Sequence, residues 1–216
     1  MPKKAIILFT RLPIAGMVKT RLMPHLSGEV CADLQWALLA DLATVQHNAE
    51  TDLFVFYTPS GSEQTLQRLE ELFATASCLP QQGDNLGQRM HQAFVHIFQQ
   101  SYKGCICIGS DIPLISNEDI KEAWQVLSRN DAIFGPSEDG GYWLVGLKEP
   151  FWPLFQQNYS HQDVLAEAQR TCMLHRLSVG LTATKRDIDI WADLQYFKQT
   201  VKQEQALHLH RFMQGI

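Results

Sequence analysis

Residues 4–22 read KAIILFTRLPIAGMVKTRL. Lys4 to Phe9 is a short apolar, β-branched run that predicts a buried strand, and Thr10 opens a loop punctuated by Pro13, Gly16 and Pro24. Beyond Ser27, an N-cap residue by type, Val30, Leu34, Ala37, Leu38, Leu42 and Val45 recur at helical spacing. Strand, loop, helix is the opening unit, and the chain repeats it.

Asp52 to Tyr57 predicts a second strand, and Leu66, Leu69, Leu72 and Phe73 mark a second helix. A polar turn, Gln81 to Asn85, feeds a third helix through Leu86, Met90, Ala93, Phe94 and Ile97. Cys105 to Ile108 is a third buried strand, and Ser116 with Asp119 makes a capping-box signature for the helix carrying Ile120, Ala123, Trp124 and Leu127. Asp131 to Phe134 and Tyr142 to Leu147 predict two more strands. Ser160 with Asp163 opens a further helix, Arg176 to Leu181 reads as a weaker strand, and a C-terminal helix from Ile190 sets Trp191, Leu194, Phe197 and Val201 on one face. Strands alternating with helices predict an α/β domain with a mainly parallel, twisted sheet and right-handed crossovers, and no linker divides residues 1–216.

Composition narrows the class. The chain has 216 residues, with 18 Lys and Arg against 23 Asp and Glu, a net charge of −5. Residues 1–28 hold Lys3, Lys4, Arg11, Lys19 and Arg21 with no acidic residue, so the remainder carries −10. A generally acidic chain lacks the basic face a nonspecific nucleic-acid binder needs for counterion release. The apolar run Ala5–Phe9 is too short for a signal-peptide core or a membrane span, so a cytoplasmic protein without a membrane partner is expected. The five cysteines contain no C-x-x-C pair and read as small apolar fillers, and none of the eight histidines has metal-ligand spacing.

Ligands of open α/β sheets bind beyond the carboxyl ends of the strands, so the loops after strands carry the interest. The first, Thr10 to Leu22, gathers Arg11, Lys19 and Arg21 with Thr20 and Gly16 and no counter-charge, as a phosphate-wrapping loop does, although a solvated basic loop has the same composition. It is not a Walker A loop. The second, Gly109-Ser-Asp111-Ile-Pro113, sets a carboxylate at a strand tip where a nucleotide-bound Mg²⁺ takes one or two hard oxygen ligands; an ordinary turn Asp is the alternative. In the third, Asp187 and Asp189 alternate along an extended segment and can aim at one cation, or Asp189 can cap the helix that follows, with capping alone sufficient for Asp193. The fourth, Gly135 to Tyr142, contains Asp139 beside Gly140 and Gly141: a ligand-approaching backbone with an acid–base carboxylate, or a tight hairpin. Gly83, Asn85 and Arg89 lie near a helix N-terminus and offer groups able to read a nucleobase. No nucleophile elbow or dinucleotide G-x-G-x-x-G competes.

Taken together, Phe9 to Leu22, Gly83 to Met90, Ile108 to Pro113 with Gly135 to Tyr142, and Asp187 to Ile190 resemble a bacterial glycosyltransferase-A-like family of the nucleotide-diphospho-sugar transferase superfamily. It is similar to the 2-phospholactate guanylyltransferases and, more distantly, to the molybdenum-cofactor nucleotidyltransferases. The resemblance runs in order from residue 5 to about residue 195 and implies a three-layer α/β/α nucleotide-binding domain. It implies that Gly16, Lys19 and Arg21 hold donor phosphates, that Asp111 ligates the metal and Asp189 completes the metal site, and that Asp139 to Tyr142 line the acceptor side. The glycosyltransferase D-x-D is missing; Ser110-Asp111 stands at that strand end, which favours nucleotidyl over glycosyl transfer.

The resulting expectation is a transferase dependent on Mg²⁺ or Mn²⁺, monomeric or homodimeric, that uses a nucleoside triphosphate or nucleotide sugar and a small acceptor, phosphorylated or not. Lys19, Arg21 and Asp139 would be its catalytic side chains. A glycosyltransferase and a non-catalytic nucleotide-binding module are the alternatives.

Overall fold

The computed structural model describes residues 3–45, 51–159 and 161–216. Seven strands form one sheet: β1 (Lys4–Thr10), β2 (Thr51–Tyr57), β3 (Ser77–Pro80), β4 (Gly104–Gly109), β5 (Ala132–Pro136), β6 (Tyr142–Leu147) and β7 (Val179–Leu181). Their spatial order is β3-β2-β1-β4-β6-β5-β7. All neighbours are parallel except β6, which runs antiparallel to both β4 and β5. Among the described residues seven α-helices accompany them: α1 (Gly28–Ala43), α2 (Glu63–Leu72), α3 (Leu86–Gln99), α4 (Asn117–Arg129), α5 (Val164–Leu174), α6 (Trp191–Thr200) and α7 (Leu207–Gln214).

The pleat of β1 splits its side chains between two cores. Ile6 and Leu8 join Val55, Ile106, Ile108 and Ile133 beneath Trp36 and Leu39 of α1, Leu69 of α2, and Ile120 and Trp124 of α4. Ala5 and Ile7 join Phe54, Phe56, Cys105, Cys107 and Phe134 against Met90, Phe94 and Ile97 of α3 and Ala168 and Cys172 of α5. The sheet is thus covered on both faces, the α/β/α arrangement the family resemblance implies. Helix α1 is apolar around much of its girth because its outer side, through Cys31, Leu34 and Leu38, is covered by Leu194 and Phe197 of α6 and Leu209 and Met213 of α7. The Asp41 carboxylate of α1 accepts the His208 and Leu209 N–H groups and so caps α7. All five cysteines are free, four of them buried. Among the described residues no helix is long and apolar enough to cross a membrane.

Several elements differ from the sequence reading. Strand β3 was not predicted, because Ser77-Cys-Leu-Pro80 is a four-residue edge strand ending on a proline and shows no hydrophobic run. Val45 lies past the end of α1, and only Val179–Leu181 of the 176–181 segment forms a strand. The C-terminal stretch from Ile190 forms α6 as far as Thr200, and a further helix, α7, follows from Leu207. Ser160 lies outside the described residues; α5 begins after Asp163, which makes no side-chain cap hydrogen bond. The capping box of Ser116 and Asp119 forms as predicted.

Candidate active site

Two buried glutamines fasten the strand ends that carry the site. The Gln81 amide donates to the Thr10 and Phe56 carbonyls at 2.9 and 3.0 Å, tying β1 to β2. Gln35, on α1, donates to the Ser110 hydroxyl at 2.8 Å and reaches the Thr10 hydroxyl at 3.5 Å, tying β1 to the end of β4. Thr10, a predicted nucleotide-binding residue, is itself buried, and its hydroxyl donates to the Arg11 carbonyl. Its side chain therefore supports the strand ends and offers no surface to a ligand.

The loop from Arg11 to Leu22 folds down rather than standing open. Leu12, Val18 and Leu22 are buried anchors, and Gly16, at φ +80°, turns the chain against the first turn of α1. A Cβ on Gly28 would stand 2.8 Å from the Gly16 nitrogen, so both positions are restricted by this approach. Arg11 and Thr20 are exposed. Lys19 adopts the left-handed conformation, φ 50° and ψ 36°, uncommon for a residue with a side chain and typical of strained functional positions. Its side chain is 4% exposed; Nζ donates to the Ile188 carbonyl at 2.7 Å and lies 2.5 Å from an Asp111 carboxylate oxygen. Two residues on, Arg21 pairs with Asp189.

Residues 185–189 bring the carboxylates together. The segment runs beside the end of β5, with Lys185 N–H donating to Pro136 and Glu138 N–H donating to Lys185. It continues past Asp111, whose carbonyl accepts the Ile188 N–H at 3.0 Å. Ile188 points into the core, so its neighbours Asp187 and Asp189 face away from it. Burial first, then the nearby Asp139, Asp189 and Asp193 charges, push the Asp187 carboxyl up to about 6. Asp139, Asp187 and Asp189 therefore share one electrostatic neighbourhood, joined to Asp111 by the Lys19–Ile188 contact. Asp193 accepts the Asp189 and Ile190 N–H groups and pairs with Arg186 at 2.9 Å, so the cap of α6 belongs to Asp193 and not to Asp189.

The two glycine-rich segments resolve differently. Residues 137–141 form the hairpin between β5 and β6, closed by Ser137 N–H to Gly141, with the Asp139 carboxylate accepting the Gly141 N–H at 3.0 Å. The close backbone at Gly140, φ +89°, is the chain's own: a Cβ there would lie 1.9 Å from the Gln162 carbonyl. Gly135 is not on an acceptor-facing loop but inside β5, where its lack of a side chain admits the Trp143 indole. In the Gly83–Arg89 segment, Asn85 caps α3 by accepting the Gln88 N–H, and Arg89 donates back to the Gly83 carbonyl. Asn85 is thus occupied by the helix end.

Sequence reasoning missed Gln35, Gln81, Lys185 and Arg186. A polar residue such as Gln35, between Leu34 and Trp36 on an apolar helix, was the available signal. Lys185 pairs with Asp119 at 2.9 Å and Arg186 with Asp193, fixing the segment that presents Asp187 and Asp189.

Among the described residues no three His, Cys, Asp or Glu side chains are grouped as a metal cage. Asp111 and Asp189 are 58% and 42% exposed, and each is held by one cation. That donor set fits a hard divalent cation that brings phosphate oxygens with it and takes only one or two carboxylates.

The fold is that of the nucleotide-diphospho-sugar transferases. A crystal structure of a candidate nucleotide-diphospho-sugar transferase from Desulfovibrio desulfuricans G20 superposes with a TM-score of 0.88 at 24% identity, covering 100% of this chain and 98% of that one. CMP:2-keto-3-deoxy-manno-octonic acid synthetase, solved with CTP, gives 0.56 at 12% identity, covering 94% and 99%. A Mycobacterium tuberculosis H37Rv protein solved with manganese gives 0.56 at 13%, covering 93% and 100%. No curated protein sequence matches the chain. A family model matches residues 41–161, which include the Gly83–Arg89, Asp111 and Gly135–Tyr142 segments. By that match over more than half its length, the chain belongs to the family described as uncharacterized proteins conserved in bacteria (DUF2064).

Proposed function

We propose that the chain is a nucleotide-dependent transferase that moves a nucleotidyl group from a nucleoside triphosphate to a small acceptor with the help of Mg²⁺ or Mn²⁺. The observation that carries this reading is the pair of contacts Lys19–Asp111 and Arg21–Asp189, which bring the basic loop after β1 onto the carboxylates after β4 and before α6. Cations for phosphate and hard oxygens for a metal meet at the carboxyl edge of one sheet, where such folds bind ligands. The CTP and manganese held by two proteins of this fold support the same ligand classes.

In this reading Arg21, 62% exposed, contacts donor phosphates and neutralises charge growing on the leaving pyrophosphate. Lys19 supplies a fixed positive charge beside Asp111 and holds that carboxylate in register. Asp111 and Asp189 would hold the divalent cation, which when bound supplies Lewis-acid charge stabilisation at the phosphates. Asp139, oriented by the Gly141 N–H, accepts the acceptor's hydroxyl proton as that oxygen attacks the α-phosphorus.

The test is product analysis with each nucleoside triphosphate and Mg²⁺. Acceptor-dependent pyrophosphate release is expected, and Asp111→Ala should lower turnover on the order of 10²-fold or more, as loss of one charge-stabilising group does. Wild-type turnover in that variant would overturn the assignment. A second reading, glycosyl transfer, is favoured by the likeness in length and fold to the Desulfovibrio protein. It would yield a nucleoside diphosphate from a nucleotide sugar, and no pyrophosphate.

A further inference from the structure

The four charged groups that meet at the site cancel one another. Lys19 lies 2.5 Å from Asp111, and Arg21 pairs with Asp189, so each carboxylate assigned to the divalent cation is already neutralised by a cation of the loop after β1. A divalent cation arriving by itself meets a positive charge beside each of its two ligands, and like charges this close oppose its binding. The contacts that fold the loop onto the site therefore also stand against metal.

The two pairs differ in what releasing them requires. Lys19 is buried and held a second time by the Ile188 carbonyl at 2.7 Å, so it stays in place. Asp111 meets it through one carboxylate oxygen and is well exposed, which leaves the second oxygen without a protein partner among the described residues. Arg21 and Asp189 are both well exposed, and no other hydrogen bond holds either side chain among the described residues. Their backbones are fixed. Leu22 is buried, the Leu22 and Met23 N–H groups close the turn on the Lys19 and Thr20 carbonyls, and the Asp189 N–H donates to Asp193 at 3.1 Å. Parting the pair thus takes side-chain rotation alone, without movement of the loop. A phosphate presents the guanidinium with the same fork of oxygens as a carboxylate, so one can replace the other.

We propose that Arg21 is a charge gate on the metal site: in the ligand-free protein it occupies Asp189, and a polyphosphate that takes it over releases that carboxylate to the divalent cation. The inference rests on the transferase reading and adds an order of events, in which metal binds weakly until phosphate is present. Each ligand then raises the affinity of the other by the same factor, as linkage requires. Because the pair is exposed, the share of this factor due to the exchange is modest, about two- to fivefold, the scale of one surface ion pair.

The experiment uses the full chain and titrates Mn²⁺ alone, and pyrophosphate alone in chelator, by calorimetry. Arg21→Ala should bind Mn²⁺ about three- to fivefold more tightly than the wild type, because Asp189 is then free. Arg11→Ala is the control for net charge: it removes one positive charge from the same loop, at an exposed residue that pairs with no carboxylate among the described residues. Screening by water and salt should hold its effect on Mn²⁺ affinity below about 1.5-fold. In the reciprocal arm Asp189→Ala should bind pyrophosphate about three- to fivefold more tightly than the wild type, and that gain should vanish in the Arg21→Ala background. Melting temperatures of Arg21→Ala and Asp189→Ala in chelator should stay within about 4 °C of the wild type, which shows that the variants are folded. Mn²⁺ affinity unchanged or weakened in Arg21→Ala, an equal gain in Arg11→Ala, or a pyrophosphate gain that survives without Arg21 would overturn the gate. Asp111→Ala separates these results from failure of the underlying reading. If it binds Mn²⁺ as well as the wild type, the metal assignment itself is wrong; if neither the wild type nor Arg21→Ala binds Mn²⁺, the gate falls with it.

Discussion

Lys19 combines a left-handed backbone with a buried ammonium, and the two features can be separated by substitution. Replacing it with alanine removes the 2.7 Å hydrogen bond to the Ile188 carbonyl and the 2.5 Å contact with Asp111. A hydrogen bond from a charged donor contributes about 1.5–3 kcal/mol. The ion pair adds roughly 0–1 kcal/mol, because Asp111 is 58% exposed and rehydrates when released. Lys19→Ala should therefore cost about 3 kcal/mol, which in a chain of this size lowers Tm by roughly 6–12 °C. Lys19→Gly removes the same contacts but relieves the strain at φ 50°, worth about 1 kcal/mol, so it should melt roughly 2–4 °C above the alanine variant. Asp111→Ala leaves the buried Lys19 ammonium without its counter-charge and should lower Tm as well. Urea and thermal unfolding of the four proteins in chelator measure all three comparisons. A Lys19→Ala variant as stable as the wild type would refute the latch between the loop and residue 188, and equal stabilities of the alanine and glycine variants would refute the left-handed assignment.

The Asp187 carboxyl is raised from 3.8 to about 6 by burial and by Asp139, so its ionisation opposes folding. The stability carried by its neutral form is complete below about pH 4 and lost as pH rises through about 6. In chelator, Asp187→Asn should match the wild type at pH 4 and exceed it above pH 6 by about 1–2 kcal/mol, after allowance for solvent screening of a partly exposed group; equal pH profiles would contradict this. Gly140→Ala drives a Cβ to within 1.9 Å of the Gln162 carbonyl at φ +89° and should cost about 2–4 kcal/mol in urea unfolding; a cost of about 1 or less would show that residue 162 moves aside freely and only the backbone strain remains. Gln81→Leu leaves the Thr10 and Phe56 carbonyls without their amide donor and should cost about 1–3 kcal/mol, with hydrogen exchange accelerated at the ends of β1 and β2; unaltered exchange there would show that Gln81 is not the tie.

The periodicities that mark β1, α1 and β4 come from side chains buried on known faces, and those elements were legible. The edge strand β3 was not, because Ser77–Pro80 is held by backbone pairing to β2 and contributes little apolar pattern. The direction of β6 could be read only through the short Ser137–Gly141 connection, which forces an antiparallel neighbour. At the candidate site, residue type and position along the chain singled out Lys19, Arg21, Asp111 and Asp189, which the structure brings together in pairs. Which cation meets which carboxylate depends on contacts across 92 residues or more and leaves no local trace. Thr10 and Gly135 show the opposite limit: each has the right type and place along the chain, but the pleat and the Trp143 indole direct them inward.

The charge asymmetry along the chain acquires meaning from these pairings. The basic loop does not float against a general negative field, since Lys19 and Arg21 each meet a particular carboxylate. The two pairs are not equivalent. Arg21 and Asp189 are both well exposed, so water competes for each and separating them costs little. Lys19 is 4% exposed and also anchored on the Ile188 carbonyl, so withdrawing it leaves a buried carbonyl unpaired and opens the loop. In the proposed transferase a phosphate arriving at this edge would find Arg21 available for transfer from protein to ligand. Lys19 contributes from where it is, as a fixed charge holding Asp111. A fixed, desolvated charge that needs no rearrangement when the reaction develops charge is the more effective electrostatic catalyst, whereas a mobile, hydrated one is better suited to capture and release. In the proposed transferase the difference in burial between two cations only two residues apart would assign these two tasks; that difference follows from the left-handed turn at residue 19, which sends one side chain inward and leaves the other outside.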